Sequence, residues 1–372
     1  MALGRQTICL CMIVKDEAHV IRRCLASVRS IIDHWIIVDT GSSDDTQAVV
    51  REMMSGLPGT LVERPWVDFA YNRSEALALA RPHGGYTLII DADDELIIAP
   101  NFNLPSLTDD SYTVDIDYAG STYRRPQLIR NTLCWRFRGV LHEFLTCAEA
   151  KTQGHLLIVM RIHHEGARSA DPQTYARDAA VLERALAVET DEFLIARYTF
   201  YLGQSYRDCG QHRQALKAYS RRADLGFWSE EVYVSLLQAG RLMEALGYDP
   251  ETIIETYAKA SAAVPSRAEA AHAASRFCRG LKRFAQGQAL ARSAFGLPAP
   301  AGGLFVETWI YAYGVYDEFA VNAYWCGSYR ESLDASLRAM ESGKVPEGER
   351  PRFLANMRFA LDKLNPDLIA RK

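Results

Sequence analysis

The 372-residue sequence has no apolar run near the ~20 residues of a membrane span, and its first apolar stretch, Ile8–Val14, is only a strand's length. That stretch lacks the h-region and cleavage site of a signal peptide, so a cytoplasmic protein without a membrane span is expected. Charge of one sign is also scarce: 42 basic against 46 acidic side chains leave a formal net charge of −4. Such a balance gives no electrostatic case for binding nucleic acid or an anionic membrane surface. The eight cysteines, at positions 9, 11, 24, 134, 147, 209, 278 and 326, include no CxxC pair and no zinc-ligand spacing. They are expected as reduced, mostly buried thiols, with Cys9 and Cys11 on one face of a strand. Neither GxGxxG nor GxxxxGK[ST] occurs, which removes support for a Rossmann dinucleotide site or a P-loop. No Ser/His/Asp arrangement suggests an enzyme nucleophile.

What is present is ordinary globular material, 48% apolar and 24% charged, in a chain long enough for two cores. Its character changes near residue 165. Before that point strand and helix patterns alternate: Ile8–Val14, a helix over Val20–Ile32, Trp35–Val38, a helix over Asp45–Met54, a strand near Leu61, a helix over Asn72–Ala80, and Tyr86–Ile90. That rhythm predicts an α/β domain with a parallel sheet over residues 1–167. Beyond it, alanine-rich helical pattern is broken at Gly226, Gly247–Pro250, Pro265, Pro298–Gly303 and Gly343–Pro351, which predicts an all-α domain over 168–372.

In the rear half, Gly203, Tyr206, Ala215 and Tyr219 fall at the small and aromatic offsets of a tetratricopeptide repeat, and Tyr257, Ala260 and Pro265 follow the same order. The run Gly327 to Leu333 echoes Gly210 to Leu216. Small residues at these points let paired helices approach closely, so a TPR-like helical array is expected, an unrelated helical bundle being the alternative.

The chemistry lies in front. Tyr86-Thr-Leu-Ile-Ile-Asp-Ala-Asp-Asp-Glu95 is an apolar strand running into four acids. Their mutual repulsion is relieved by a divalent cation, and Mg²⁺ or Mn²⁺ prefers hard oxygen ligands shared with a diphosphate. Ligands of open α/β sheets sit beyond the carboxyl ends of strands. Trp35-Ile-Ile-Val-Asp-Thr-Gly-Ser-Ser-Asp-Asp-Thr46 is a second strand ending in an acid before a helix start, and Met12-Ile-Val-Lys-Asp-Glu17 supplies a third acidic turn.

Taken in order, Cys11–Ala18, Ile37–Thr46, Asp68-Phe-Ala-Tyr-Asn-Arg-Ser-Glu-Ala-Leu77 and Asp91-Ala-Asp-Asp-Glu95 resemble the successive motifs of family-2 glycosyltransferases, over roughly residues 7–166. With its helical tail the chain is similar to a subgroup that includes lipopolysaccharide-type sugar transferases and sublancin-type S-glycosyltransferases, which also show patterns like Phe137-Arg-Gly-Val-Leu-His-Glu143 and Ile162-His-His-Glu-Gly166. The resemblance implies a GT-A fold. It also implies that Asp39 contacts the uracil or ribose of a UDP-sugar beside the Val14–Glu17 turn, with Val14 and Glu17 as donor contacts. Arg73 would lie near the diphosphate or base, Asp91 at the ribose and Asp93 on the metal. Glu143 is the candidate general base, and His164 a direct or outer-shell metal ligand. Ser74 and Asp16 stand where the family often has Asn, which affects fine donor contacts.

The function so implied is metal-assisted inverting transfer of a hexose from a UDP-sugar to a peptide, protein or glycan acceptor, with a homodimer left open and no nucleic-acid partner. Two other readings compete: a TPR scaffold that only senses nucleotide-sugar, and a nucleotidyltransferase built on the same acidic site.

Overall fold

The computed structural model describes residues 6–118, 121–163, 165–166, 168 and 171–365. The chain forms two compact units that meet in sequence at 188/189.

The front unit contains strands β1 (Ile8–Val14), β2 (His34–Asp39), β3 (Gly59–Glu63), β4 (Tyr86–Ile89), β5 (Asp94–Ile97), β6 (Ser111–Tyr118), β7 (Ser121–Arg130) and β10 (Gln153–Ile162), with a separate hairpin of β8 (Arg136–Arg138) and β9 (Phe144–Thr146). Its helices are α1 (Ile21–Val28), α2 (Thr46–Met53), α3 (Phe69–Ala80) and α4 (Thr174–Leu186). Helix α4 thus belongs to the front unit, although it follows the 167/168 boundary expected from composition.

The eight-stranded sheet has the order β3-β2-β1-β4-β7-β6-β10-β5. Its first four strands are parallel, as expected. The other half is mixed, which corrects the fully parallel expectation: β7 is antiparallel to β4 and β6, and β5 is antiparallel to β10. The reason is chain length, because β6 and β7 are joined far too tightly for the dozen or more residues of a parallel crossover.

Every residue of β1 is buried, as its unbroken apolar run requires of a central strand covered on both faces. Ile8, Leu10, Met12 and Val14 share one core with Ile21, Leu25 and Val50 of α1 and α2. Cys9, Cys11 and Ile13 share another with Ala76, Leu77 and Ala80 of α3. This sandwiching brings the carboxyl ends of β1, β2 and β4 to one edge. All eight cysteines are free, but only Cys9, Cys11, Cys24 and Cys278 are buried; Cys134 and Cys326 are exposed. No helix among the described residues is long and apolar enough to cross a membrane.

The rear unit is TPR-like: α5 (Glu192–Asp208), α6 (His212–Asp224), α7 (Ser229–Leu246), α8 (Pro250–Ala263), α9 (Glu269–Gly280), α10 (Phe284–Arg292), α11 (Val315–Trp325), α12 (Tyr329–Glu341) and α13 (Arg350–Leu364). Within the pairs, glycine gives room to a large neighbour. A Cβ on Gly203 would lie 2.9 Å from the Tyr219 ring, and one on Gly240 2.5 Å from Tyr257. The echoed Gly210 and Gly327 adopt φ of 77° and 79°. Each ends a helix with the same closing bond, Gln211 N–H to Tyr206 O at 2.7 Å and Ser328 N–H to Ala323 O at 2.9 Å.

Lys282 occupies the equivalent place between α9 and α10 at φ 60°, closed by Arg283 N–H to Cys278 O at 2.9 Å. An L-residue in the left-handed region costs ~1–2 kcal/mol, and glycine gives back part of that gain through the freer unfolded chain. Lys282→Gly is therefore expected to stabilise the helical unit by up to ~1 kcal/mol and Gly327→Ala to destabilise it by ~1 kcal/mol, read by chemical denaturation. Opposite signs would refute the shared cap.

Candidate active site

Two loops at the carboxyl edge of the sheet lock into each other. The β1–α1 turn presents three successive backbone N–H groups: Asp16 donates to Ser42 Oγ (3.0 Å), Glu17 to Thr46 Oγ1 (2.8 Å) and Ala18 to Asp44 Oδ2 (3.0 Å). In return, Ser43 N–H donates to Asp16 Oδ1 at 2.7 Å. Asp16 has φ 57°, a conformation tolerated best by Asn, Asp and Gly, so an Asp here keeps the turn chemistry that an Asn would give. The Ser/Asp/Thr-rich sequence after β2 therefore serves first to fix the neighbouring turn.

Asp39, the last residue of β2, is fully buried. Its carboxylate accepts from Ser42 N–H (3.0 Å), Ser42 Oγ–H (2.7 Å) and the Gln47 amide (2.5 Å). It pairs in register with Val14. Val14's side chain is buried in the core, and its carbonyl accepts from Thr40 N–H at 2.9 Å, so Val14 can offer a ligand only backbone.

Asp91, past the end of β4, is joined to Glu143 by one guanidinium. Arg73 Nη2 lies 2.6 Å from Asp91 Oδ1, and Arg73 Nε lies 2.6 Å from Glu143 Oε1. The second contact is an ion pair whose N–H is not aimed at the oxygen. Helix α3 brings Arg73 there. Asp68 caps the helix by accepting Tyr71 N–H at 2.7 Å, and buried Asn72 ties the preceding loop through Val67 N–H (2.9 Å) and Pro65 O (3.0 Å). Next to it, Ser74 Oγ accepts Phe137 N–H at 2.9 Å, docking the β8–β9 hairpin on α3. Gly139 at φ 107° and His142 at φ 51° then turn the chain so that Glu143 meets Arg73, whose guanidinium lies 5.7 Å from the Phe137 ring centroid.

Burial pushes the Glu143 carboxyl above the ordinary glutamate range, against the pull of Arg73. Burial acts in the same direction on Asp91, but Arg73 and Arg125 outweigh it and hold that carboxyl below its usual value. Asp94 is pushed up to about 8 by burial and then by the charges of Asp91 and Asp93.

Asp93 lies beside a strap formed by the segment after β10. Gly166 N–H donates to Asp93 Oδ2 at 3.1 Å, and a Cβ on Gly166 would meet that oxygen at 3.1 Å and Glu17 Oε1 at 3.2 Å. Arg23 holds the strap through Glu165 at 2.9 Å and reaches the Asp93 carbonyl at 3.3 Å. His163 Nε2 lies 3.0 Å from Glu95 Oε2. His164 lies outside the described residues. Among the described residues no three His, Cys, Asp or Glu side chains converge on one metal position. Mg²⁺ is commonly held by one or two carboxylates and completed by phosphate oxygens and water, so Asp93, with Glu17 facing the same glycine, fits such a cation.

The structure thus joins Asp91, Arg73 and Glu143, sets Asp93 and Glu17 about Gly166, and keeps Asp39 and Val14 on adjacent strands. Sequence reasoning missed Ser42 and Gln47, which hold Asp39, and Arg125. Ser42 stood inside a quoted motif and could have been found; Arg125 carries no motif signal.

Residues 9–99 match the family model described as Glycosyl transferase family 2. A TPR repeat-containing protein of Synechococcus elongatus is 38% identical over 145 residues, 37% of this chain and 34% of that protein. An uncharacterized glycosyltransferase of Rickettsia felis is 36% identical over 85 residues, 23% of this chain and 28% of that one. The match therefore spans about a third or less of these relatives' lengths. Among solved structures, S. aureus TarS 1–349 in complex with UDP-GlcNAc is 14% identical with a TM-score of 0.37, covering 65% of this chain and 87% of that one. MamA is 13% identical at a TM-score of 0.37, covering 46% and 90%. The domain assignment rests on the family model and on the geometry above.

Removing one partner of a buried ion pair costs about 3–5 kcal/mol. Arg73→Met is therefore expected to lower the stability of the front unit by that order, with Asp91→Asn in the same chain recovering part of it. A neutral Arg73→Met in urea denaturation would make this arginine a surface side chain.

Proposed function

We propose that this chain, whose residues 9–99 form a Glycosyl transferase family 2 domain, transfers a hexose from a UDP-sugar to a hydroxyl or thiol of a peptide, protein or glycan. The observation that carries this reading is the convergence at one sheet edge of Asp39, Asp91 and Asp93 with Glu143, held to Asp91 through Arg73. Asp39 and the backbone of the Val14–Glu17 turn would receive the base and ribose, and Asp91 the ribose side facing Arg73. To contact a nucleoside, Asp39 exchanges one of the bonds it now accepts from Ser42 or Gln47.

Asp93 would hold Mg²⁺ or Mn²⁺, with His164 a second candidate ligand. When bound, the cation supplies neutralisation of the charge that develops on the departing diphosphate. Glu143 takes the proton from the acceptor as the acceptor attacks the anomeric carbon. Burial favours this by moving its pKa toward the working range of a general base, while Arg73 fixes its position. Attack opposite to the leaving diphosphate, without an enzyme nucleophile, inverts the anomeric configuration. The paired helices of the rear unit supply an extended surface of the kind repeat proteins use for peptides and other long ligands.

Glu143→Gln keeps shape and removes basicity. It is expected to bind UDP with near wild-type affinity while transfer falls by ~10²-fold or more. Ordinary transfer kinetics in that variant would move the base to Asp94 or Glu95, and lost UDP binding would make Glu143 structural. Chelation with EDTA should abolish turnover, and Asp93→Ala should lower kcat by orders of magnitude. Full turnover in EDTA would contradict the role of the cation.

A further inference from the structure

Two arginines face the acids at the sheet edge, and they differ in what they can give a ligand. Arg73 has a side chain only 13% exposed and stands between Asp91 and Glu143 at 2.6 Å from each. Turning it toward a phosphate would strand two carboxylates, a heavy penalty for partly buried ions.

Arg125, on β7, is in the opposite situation. Strand β7 runs antiparallel to β4 with Leu128 opposite Leu88, so the residues before Leu128 run past the end of β4, where Asp91 to Asp94 follow. Its side chain is 40% exposed, and its one ion pair among the described residues is a loose 3.9 Å to Asp94 Oδ2. That oxygen is buried and has no hydrogen-bond partner. In the amide orientation that satisfies both ends of buried Gln127, the Gln127 oxygen accepts from Arg125 Nη2 at 2.7 Å and Nε at 3.0 Å, while its nitrogen donates to Ile89 O and Pro126 O. Gln127 thus fixes the guanidinium beside the acids without neutralising it. Both Asp91 and Asp94 feel its charge.

A diphosphate approaching Asp91 and Asp93 meets like charge, which a cationic side chain helps a bound metal to offset. A part-exposed, pre-oriented guanidinium suits that task, since its fork matches two phosphate oxygens. We infer that Arg125 is the side chain that receives the diphosphate of the nucleotide-sugar, leaving Arg73 to hold Asp91 and Glu143. This rests on the donor reading given above, and it assigns the phosphate contact to a residue outside every recognised motif.

Calorimetry on the full chain with UDP and with uridine, each in EDTA and in Mn²⁺, tests the assignment and separates it from the donor reading. The wild-type chain is expected to prefer UDP over uridine. Arg125→Gln and Arg125→Ala should cut that preference about tenfold or more, the worth of a lost charge-assisted contact, with uridine affinity unchanged. Arg125→Lys should retain part of it. Two folded neutral variants with the wild-type UDP-to-uridine ratio would overturn the role of Arg125 and leave the donor reading intact. A wild-type chain that binds neither ligand would overturn both.

Discussion

The front site depends on one guanidinium placed between two carboxylates. Acids gathered at the carboxyl ends of parallel strands repel one another, and burial makes each charge more expensive. Arg73 relieves this by meeting Asp91 and Glu143 at once. Its placement traces back to the sequence in short steps. Asp68 caps α3, Asn72 ties down the loop before it, and Ser74 holds the β8–β9 hairpin that carries Glu143. Loss of any of these steps loosens Arg73 or Glu143.

The same logic extends along the sheet edge. The β1–α1 and β2–α2 turns are bonded to each other through side chains of Ser42, Asp44 and Thr46, so the walls of the proposed nucleoside site are set before any ligand arrives. Such preorganisation lowers the ordering needed on binding. Glu165 and Gly166 meet Asp93 and Arg23 through backbone and an exposed ion pair, which is weaker fastening than the Arg73 contacts.

Much of this was legible in the residues. The alternation of apolar runs gave the first four strands and three helices nearly to their ends, because each run is long and bounded by turn chemistry. The echo of Gly210 by Gly327 proved to be a repeated helix cap, and Gly203 proved to be a close-packing point against Tyr219, while Gly240, which plays the same part against Tyr257, went unnamed in the sequence. The second half of the sheet was not legible, since its strand directions follow from connection length rather than from pattern. Arg125 was invisible for a related reason: its place beside the acids depends on the antiparallel register of β7 against β4, which no local spacing encodes. Composition put the domain boundary at 167, whereas packing groups α4 with the front unit.

The central claim is that the acidic sheet edge turns over a nucleotide-sugar rather than only binding one. Incubating the full chain with a panel of UDP- and GDP-sugars in Mn²⁺ and measuring released nucleotide tests it most directly. The account predicts release of UDP from at least one UDP-hexose, in excess of the release from GDP-sugars. UDP-sugar binding with no release of nucleotide from any member of the panel, even with peptide and glycan acceptors supplied, would contradict it and leave a sensing scaffold in its place.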